Sequence, residues 1–212
     1  GKKFVSYIKF PENLKKSRKS ETASLSAAST STASKSQIRI AGLEKNIIIH
    51  LSEIEEVTMK IQKLFNKKIK YKLLYKASKD GDAASDFHEK CDYIENTLVL
   101  IQASGKKRFG GFTTQTWDGE TITKKDDKCF IFSIDKNKIY DIIKGESAIG
   151  CYPDFGPVFM GCQIRLLDHF FTQGGTTFYK GKTFKTTLDF ELTGGAEKFG
   201  VIDVEVYQIK GI

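Results

Sequence analysis

With 212 residues, 40% of them hydrophobic and 12% aromatic, the chain can enclose one sizeable core, since a domain of about 150 residues already buries roughly 70% of its unfolded surface. Cys91, Cys129, Cys151 and Cys162 contain no Cys-x-x-Cys pair, which argues for reduced thiols over a disulfide framework, and wholly apolar runs reach only four residues, as at Leu98 to Ile101, too short for a membrane helix. The net charge of +8 sits mostly on Gly1 to Ile40, with nine Lys/Arg against two acids, leaving 25 against 24 elsewhere, so no nucleic-acid-binding surface is expected on the folded part.

Three regions follow in chain order. Residues 1–14 hold Phe4, Tyr7, Ile8 and Phe10 ahead of Pro11 and read as an unplaced segment, a short strand or the end of an upstream domain. Because the chain starts at Gly1 rather than Met, it reads as a fragment. Residues 15–37 form a basic, Ser-rich linker: of the 17 residues Ser20 to Ser36, 14 are Ser, Thr or Ala, too little apolar surface to offset the entropy of ordering. Lys15, Lys16, Arg18 and Lys19 beside Ser20 and Thr22 make those two hydroxyls candidate phosphorylation sites, against the plainer reading of a solvated linker. Residues 38–212 are the expected folded domain.

Within it, Ser52 and Glu55 have capping-box spacing, and Ile54, Val57, Ile61, Leu64 and Phe65 recur at threes and fours, which predicts a helix ending near Asn66. A shorter helix is expected from Asp82, as cap, to Cys91, with Ala83, Ala84, Phe87 and Cys91 on one face. Beyond Asn96 the period changes to two. Thr97 to Gln102 and Lys106 to Phe112 flank Ala103-Ser104-Gly105 as a hairpin, and Phe130, Phe132 and Ile134 share one face of the next strand. Further strands are expected at Ile164 to Leu167, at Phe184 to Phe190 and at Val201 to Ile209, where Ile202, Val204 and Val206 alternate with Asp203 and Glu205 around one wet face. Antiparallel sheets with N-terminal helices give an α+β class.

Catalytic chemistry is sought and not found. No Gly-x-Ser-x-Gly elbow is present, and His50, His88 and His169 have no obvious nucleophile, although Cys151 or Cys162 with His169 stays open as a cysteine-dependent reading. His88 and Cys91 stand at i and i+3, but zinc wants four ligands and no second pair follows. Ser104-Gly105-Lys106-Lys107 lacks the order of a phosphate loop, and Gly110-Gly111 inside a strand points to close backbone approach or a bulge. No cofactor or metal is expected.

Leu73-Leu74-Tyr75-Lys76-Ala77-Ser78-Lys79-Asp80-Gly81, then Phe87-His88 and Cys91-Asp92, resembles the opening of TLDc domains. Phe109-Gly110-Gly111-Phe112 and Trp117, Cys129-Phe130-Ile131-Phe132-Ser133-Ile134, Pro153-Asp154-Phe155-Gly156-Pro157-Val158-Phe159, and Val204-Glu205-Val206-Tyr207 resemble its later motifs, so that the likeness spans roughly His50 to Lys210. It departs after Phe159, where the family's Gly-rich run ending in His-Asp-Leu is replaced by Met160-Gly161-Cys162-Gln163-Ile164.

The resemblance implies a two-sheet antiparallel β-sandwich with flanking helices, no established enzymatic activity, protection against oxidative stress, and docking on the vacuolar-type proton ATPase. It further implies a cytoplasmic protein, at most peripheral to an endolysosomal or vacuolar membrane. Asp80, Gly81, Phe87, Gly110, Gly111, Trp117, Gly156, Pro157, Phe159 and Gly161 are read as architecture: Asp80-Gly81 and Gly156-Pro157 as turns, the aromatics as core volume. Lys79, Lys106, Lys107 and Arg108 are the candidate partner contacts, with a solvated face as the plainer reading of each. The alternatives are a cysteine-dependent antioxidant enzyme and a phospho-regulated, membrane-apposed adaptor working through the basic segment.

Overall fold

Four consecutive apolar residues, Leu98 to Ile101, cannot alternate between a dry and a wet face. They need not, because their strand β2 (Thr97–Ala103) lies in a sheet covered on both sides. The structure, a computed structural model, describes residues 46–48, 50–161, 163–177, 181 and 183–212. The expectations for 1–14, 15–37, the domain start at 38, Ser20, Thr22 and Cys162 lie outside the described residues. Among the described residues no helix is long and apolar enough to cross a membrane.

A 3-10 turn (Leu51–Ile54) leads into α1 (Glu55–Phe65), followed by β1 (Ile69–Lys76), α2 (Ala77–Asp80) and α3 (Ala84–Cys91). After β2 come β3 (Lys107–Thr113), β4 (Ile122–Lys125), β5 (Phe130–Ser133), β6 (Lys138–Asp141), β7 (Ser147–Cys151), β8 (Phe155–Phe159) and β9 (Ile164–Leu167). The chain closes with α4 (Phe170–Gln173), β10 (Gly175–Thr176), β11 (Lys198–Phe199) and β12 (Val201–Gly211). Two six-stranded antiparallel sheets result, ordered β1-β12-β2-β3-β5-β6 and β11-β10-β9-β8-β7-β4. The α+β sandwich with flanking helices is therefore the observed architecture.

The core has two layers because the first sheet has two dry faces. Val99, Ile101, Phe109, Ile131, Val204 and Val206 point between the sheets, against Trp117, Phe159, Ile164 and Phe170. Leu98, Leu100, Phe112, Phe130, Phe132 and Ile209 point the other way, under Ile54, Val57 and Ile61 of the helical layer. The apolar stripe of α1 is thus used as its spacing predicts, and the helix stops at Asn66, whose left-handed φ of 51° lets its amide bond back to Lys63.

The helix starts differ from expectation. Because the 3-10 turn precedes α1, the cap sits two residues early: Glu53 Oε1 accepts from the His50 amide at 2.9 Å, and Ser52 and Glu55 form no box. Asp82 does not cap α3; Asp86 accepts from Ala83 N at 3.0 Å and Asp168 from Ala84 N at 2.9 Å, while the Asp82 carboxylate reaches Phe171 N at 3.0 Å.

The hairpin forms as expected, but its connection is shifted by one residue to Ser104-Gly105-Lys106, with Ala103 opposite Lys107 and Gly105 at a φ of 69°. Three strand readings are corrected. Among the described residues Phe184 to Phe190 makes only one bridge, Phe184 to Ile142, because the buried Glu191 carboxylate accepts from Thr187 N (2.8 Å), Leu188 N (3.2 Å) and Thr187 Oγ1 (3.2 Å), turning those amides away from any ladder. Gly156-Pro157 is not a turn; it lies within β8, where the register against β9 shifts between Phe155 and Val158, and a bulge tolerates a residue without an N–H. Finally, β12 has no wet face of acids: Asp203 and Glu205 are buried and Ile202 is 53% exposed.

Candidate interaction surface

The family-motif residues build the frame. Tyr75 Oη donates to Gly81 O at 2.6 Å, Asp80 Oδ2 accepts from Lys76 N at 2.8 Å, and Gly81, with a φ of 112°, turns the chain into α3 against Asp86. Phe87 stands edge-to-face with Tyr75 and with Trp117, whose ring meets Phe159 in the same way at 5.9 Å between centroids. Trp117 Nε1 donates to Thr97 Oγ1 at 3.0 Å, so its one polar atom is satisfied in the core. Gly110 and Gly111 pair in unbroken register with Leu100 and Val99, which rules out a bulge there and leaves close approach: of Val99 O to Gly110, and of the Phe159 ring to Gly111. Gly156 faces Leu166 and Phe170, Pro157 is buried beside it, and Gly161 lies against Thr183.

Beside this frame runs a buried ionic network unforeseen in the sequence. Lys76 Nζ lies 2.5 Å from Glu205 Oε1 and 3.1 Å from Asp203 Oδ2, because β1 and β12 pair Lys76 with Glu205. Glu205 also accepts from Tyr207 Oη at 2.9 Å and Ile47 N at 3.3 Å; Lys76 donates to Asn46 Oδ1, and Ser78 N and Oγ donate to Asp203. Burial, and then the Glu205 charge, push the Tyr207 phenol far up, so it remains a donor. The network ties Asn46 to β1 and Ile47 to β12.

At the same end of the sheet lie the four cations expected to meet a partner. Lys106 and Lys107 occupy the β2–β3 hairpin, joined to the start of β12 by the Ser104 N to Gly200 O bond of 2.8 Å; Lys107 runs along Gly194, and Lys79 ends α2, which packs on β12. None of these three lysines has an ion-pair partner among the described residues. Arg108 differs. Its guanidinium pairs with Glu53 and, at 3.0 Å, with Asp135, and donates to Ile47 O at 3.3 Å, so it is engaged within the chain. At that end of β12 the sequence reading missed exposed apolar residues: Ile202 at the register shift, and Phe171 (40% exposed) on α4, which also packs on β12. The signal was hidden because Ile202 fits the apolar phase of an alternating strand, and only the shift between Val201 and Asp203 turns it outward.

A second basic group was masked by the whole-chain tally. From Val57 to Lys79 there are eight lysines and no acid, which a local window count would have found.

The titratable groups proposed for chemistry are otherwise occupied. His88 Nδ1 bonds Asp92 Oδ1 at 2.8 Å and Nε2 faces Tyr152 O and Phe155 O at 3.0 and 3.1 Å, while His169 is exposed, 3.7 Å from Asp82 and Asp168. Cys91, Cys129 and Cys151 are buried and unbridged, and no group of three or more His, Cys, Asp or Glu among the described residues is placed to hold a metal. Burial raises all three thiols; for Cys151, beside Asp118 and Lys124, the value is pushed up to about 11. A thiol is nucleophilic only as thiolate. In a Cys162→Ser variant these three thiols are expected to react with an aromatic disulfide reagent no faster than the protein unfolds; rapid reaction at any one would favour the cysteine-dependent reading.

The comparisons agree with the geometry of the frame. A family model described as the TLDc domain matches residues 42–210. A comparison with curated proteins gives no match.

Proposed function

Because this chain belongs to the TLDc domain family, we propose that it is a non-catalytic interaction module that docks on the peripheral part of a vacuolar-type proton ATPase and alters the pump's assembly or activity by contact alone. Protection against oxidative stress would follow through that partner, without turnover by this chain.

One observation carries the reading to a place on the surface: exposed Ile202 and Phe171 at the sheet end where Lys79, Lys106 and Lys107 lack ion-pair partners. An apolar centre with a charged rim is the usual anatomy of a protein interface, the centre supplying affinity and the rim orientation and on-rate. The rim's sign calls for an acidic patch on the partner.

The test is affinity capture with the full chain, probed for pump subunits. Wild type is expected to recover them, and Ile202→Asp with Lys106→Glu and Lys107→Glu to weaken capture by about thirtyfold, the scale of one central hot spot. Lys125→Glu, on exposed β4 of the other sheet, should leave capture unchanged. Failure to recover the pump sinks the partner; undiminished capture by the triple variant sinks the surface.

A further inference from the structure

Part of that lysine run, Lys67, Lys68, Lys70 and Lys72, is brought by the fold to one edge, away from the surface just described. Among the described residues β1 is the edge strand of the first sheet, paired only with β12. Its register sets Lys70 directly opposite Lys210 and Lys72 opposite Gln208. Directly opposed residues of an antiparallel pair project from the same face, and Lys70 and Lys72, two apart, project there too, about 7 Å from one another. The α1–β1 connection adds Lys67, whose carbon chain lies along Gly211, and Lys68, whose carbonyl accepts from Ile212 N at 2.8 Å.

The alternation responsible is visible in the burial. Ile69, Tyr71 and Ile209 turn inward toward the helical layer, and Thr58 Oγ1 of α1 bonds Tyr71 Oη at 2.7 Å, which fixes that face as the dry one. The lysines take the opposite phase. A cleft of about 390 Å³ lies elsewhere, by Glu53 and Arg108; here a comparable cleft of about 370 Å³ is bordered by Lys67 and Lys210 together with Asn96 and Gln208. Lys67, Lys72 and Lys210 are exposed and have no ion-pair partner among the described residues, and Glu95, the acid next to Asn96, forms no ion pair with them.

We propose that this edge, formed by Lys67, Lys68, Lys70, Lys72 and Lys210, is a docking face for an anionic phospholipid surface. Its composition argues for lipid over the other polyanions. All five cations are lysines, compact charges on flexible stems that suit a diffuse layer of headgroups, whereas the fixed fork of arginine suits directed recognition of bases or paired carboxylates. The two described arginines are elsewhere: Arg108 in its ion pairs, and Arg165 over the Phe155 ring. On the strand's other phase stands Leu73, 42% exposed, an aliphatic group able to enter the headgroup boundary. An RNA-binding face would instead place aromatic platforms among its cations. The proposal is independent of the pump, and it differs from tail-mediated attachment because the charge lies on the folded domain.

The experiment is co-sedimentation of the full chain with phosphatidylcholine vesicles containing about 30% phosphatidylserine, and with phosphatidylcholine alone. Binding to the anionic vesicles only is expected, falling at high salt. Lys67→Glu, Lys72→Glu and Lys210→Glu together should cut the partition coefficient at least about tenfold, since each lysine near such a surface contributes a factor of roughly five. Charge reversal at Lys15, Lys16, Arg18 and Lys19 should cut it less. The neutral set Lys67→Gln, Lys72→Gln and Lys210→Gln, melting as wild type does, should fall between, which separates lost charge from lost fold. The proposal is overturned if wild type ignores anionic vesicles, if the face variants bind undiminished, if the tail variant alone abolishes binding, or if the chain prefers RNA to the vesicles. No pump is present, so failure here leaves the pump reading standing, and the reverse holds as well.

Discussion

Glu205→Ala is expected to destabilise the domain by about 3–5 kcal/mol, read as a loss of urea midpoint with an unchanged slope. Glu205 is wholly buried and neutralises Lys76, itself 8% exposed, at 2.5 Å. Removing the carboxylate leaves the ammonium beside Asp203, which is already shared with Ser78 N and Oγ and with Val204 N. It also strips an acceptor from Tyr207 Oη and from Ile47 N. A buried ammonium stripped of its nearest carboxylate is costlier than an absent pair, which gives the prediction its control: Lys76→Met with Glu205→Leu should recover most of the loss. A cost below about 1 kcal/mol for Glu205→Ala would mean that the network is solvated and contributes little. Because Glu205 holds Ile47 over the first sheet, the single variant should also expose that end of the chain to protease, while the double variant should restore protection only in part.

That network marks where sequence reasoning stops. The alternation of Val201 to Ile209 identified a strand correctly, but alternation cannot distinguish an acid facing water from one facing a lysine 129 residues away. The partner is supplied by topology, since β12, last in the chain, inserts between β1 and β2. The hairpin was legible because Gly105 is a local necessity, as was the stripe of α1. Phe184 to Phe190 carries the apolar spacing of a strand, yet one buried carboxylate, Glu191, claims the amides that a ladder requires. β1 escaped notice for the converse reason: Lys-Tyr-Lys-Leu reads as a charged stretch until its alternate residues are placed against α1.

The candidate surfaces were legible in part. Lys79, Lys106 and Lys107 were singled out by charge alone and do come to one end of the first sheet without ion-pair partners among the described residues. Arg108 had the same sequence signature, but Glu53 and Asp135, 55 and 27 residues away, engage it. Ile202 and the lysine edge of β1 were missed because each depends on register: a shift that turns one apolar residue outward, and a pairing that brings Lys210 to Lys70.

Gly110→Ala is expected to be the most damaging single-methyl change in the domain, and the reason lies in what the methyl would meet. Gly110 sits mid-sheet between Leu100 of β2 and Phe132 of β5, and a Cβ there would fall on the carbonyl oxygen of Val99, with Phe132 Cζ 3.0 Å away. Backbone in the middle of a ladder cannot step aside without breaking hydrogen bonds on both strands. A cost above about 3 kcal/mol, at the upper end of overpacking, is expected, or roughly 6–12 °C of melting temperature for a domain of this size. Two neighbours calibrate it. A Cβ on Gly111 meets the ring of Phe159, a side chain that can shift at some loss to its packing on Trp117, so Gly111→Ala should cost less. A Cβ on Gly105 meets nothing within 4 Å, and Gly105→Ala should cost only the about 1–2 kcal/mol of a left-handed φ. Thermal melts of the three variants should rank in that order, backbone before ring before open space; equal losses at Gly110 and Gly105 would show that strain in φ, and not the approach of β2, governs the first sheet. Lys106, Lys107 and Arg108 lead into Gly110 on the same hairpin arm. Weakened partner capture by Gly110→Ala would therefore report a displaced strand, and only the exposed substitutions at Ile202, Lys106 and Lys107 can locate the contact itself.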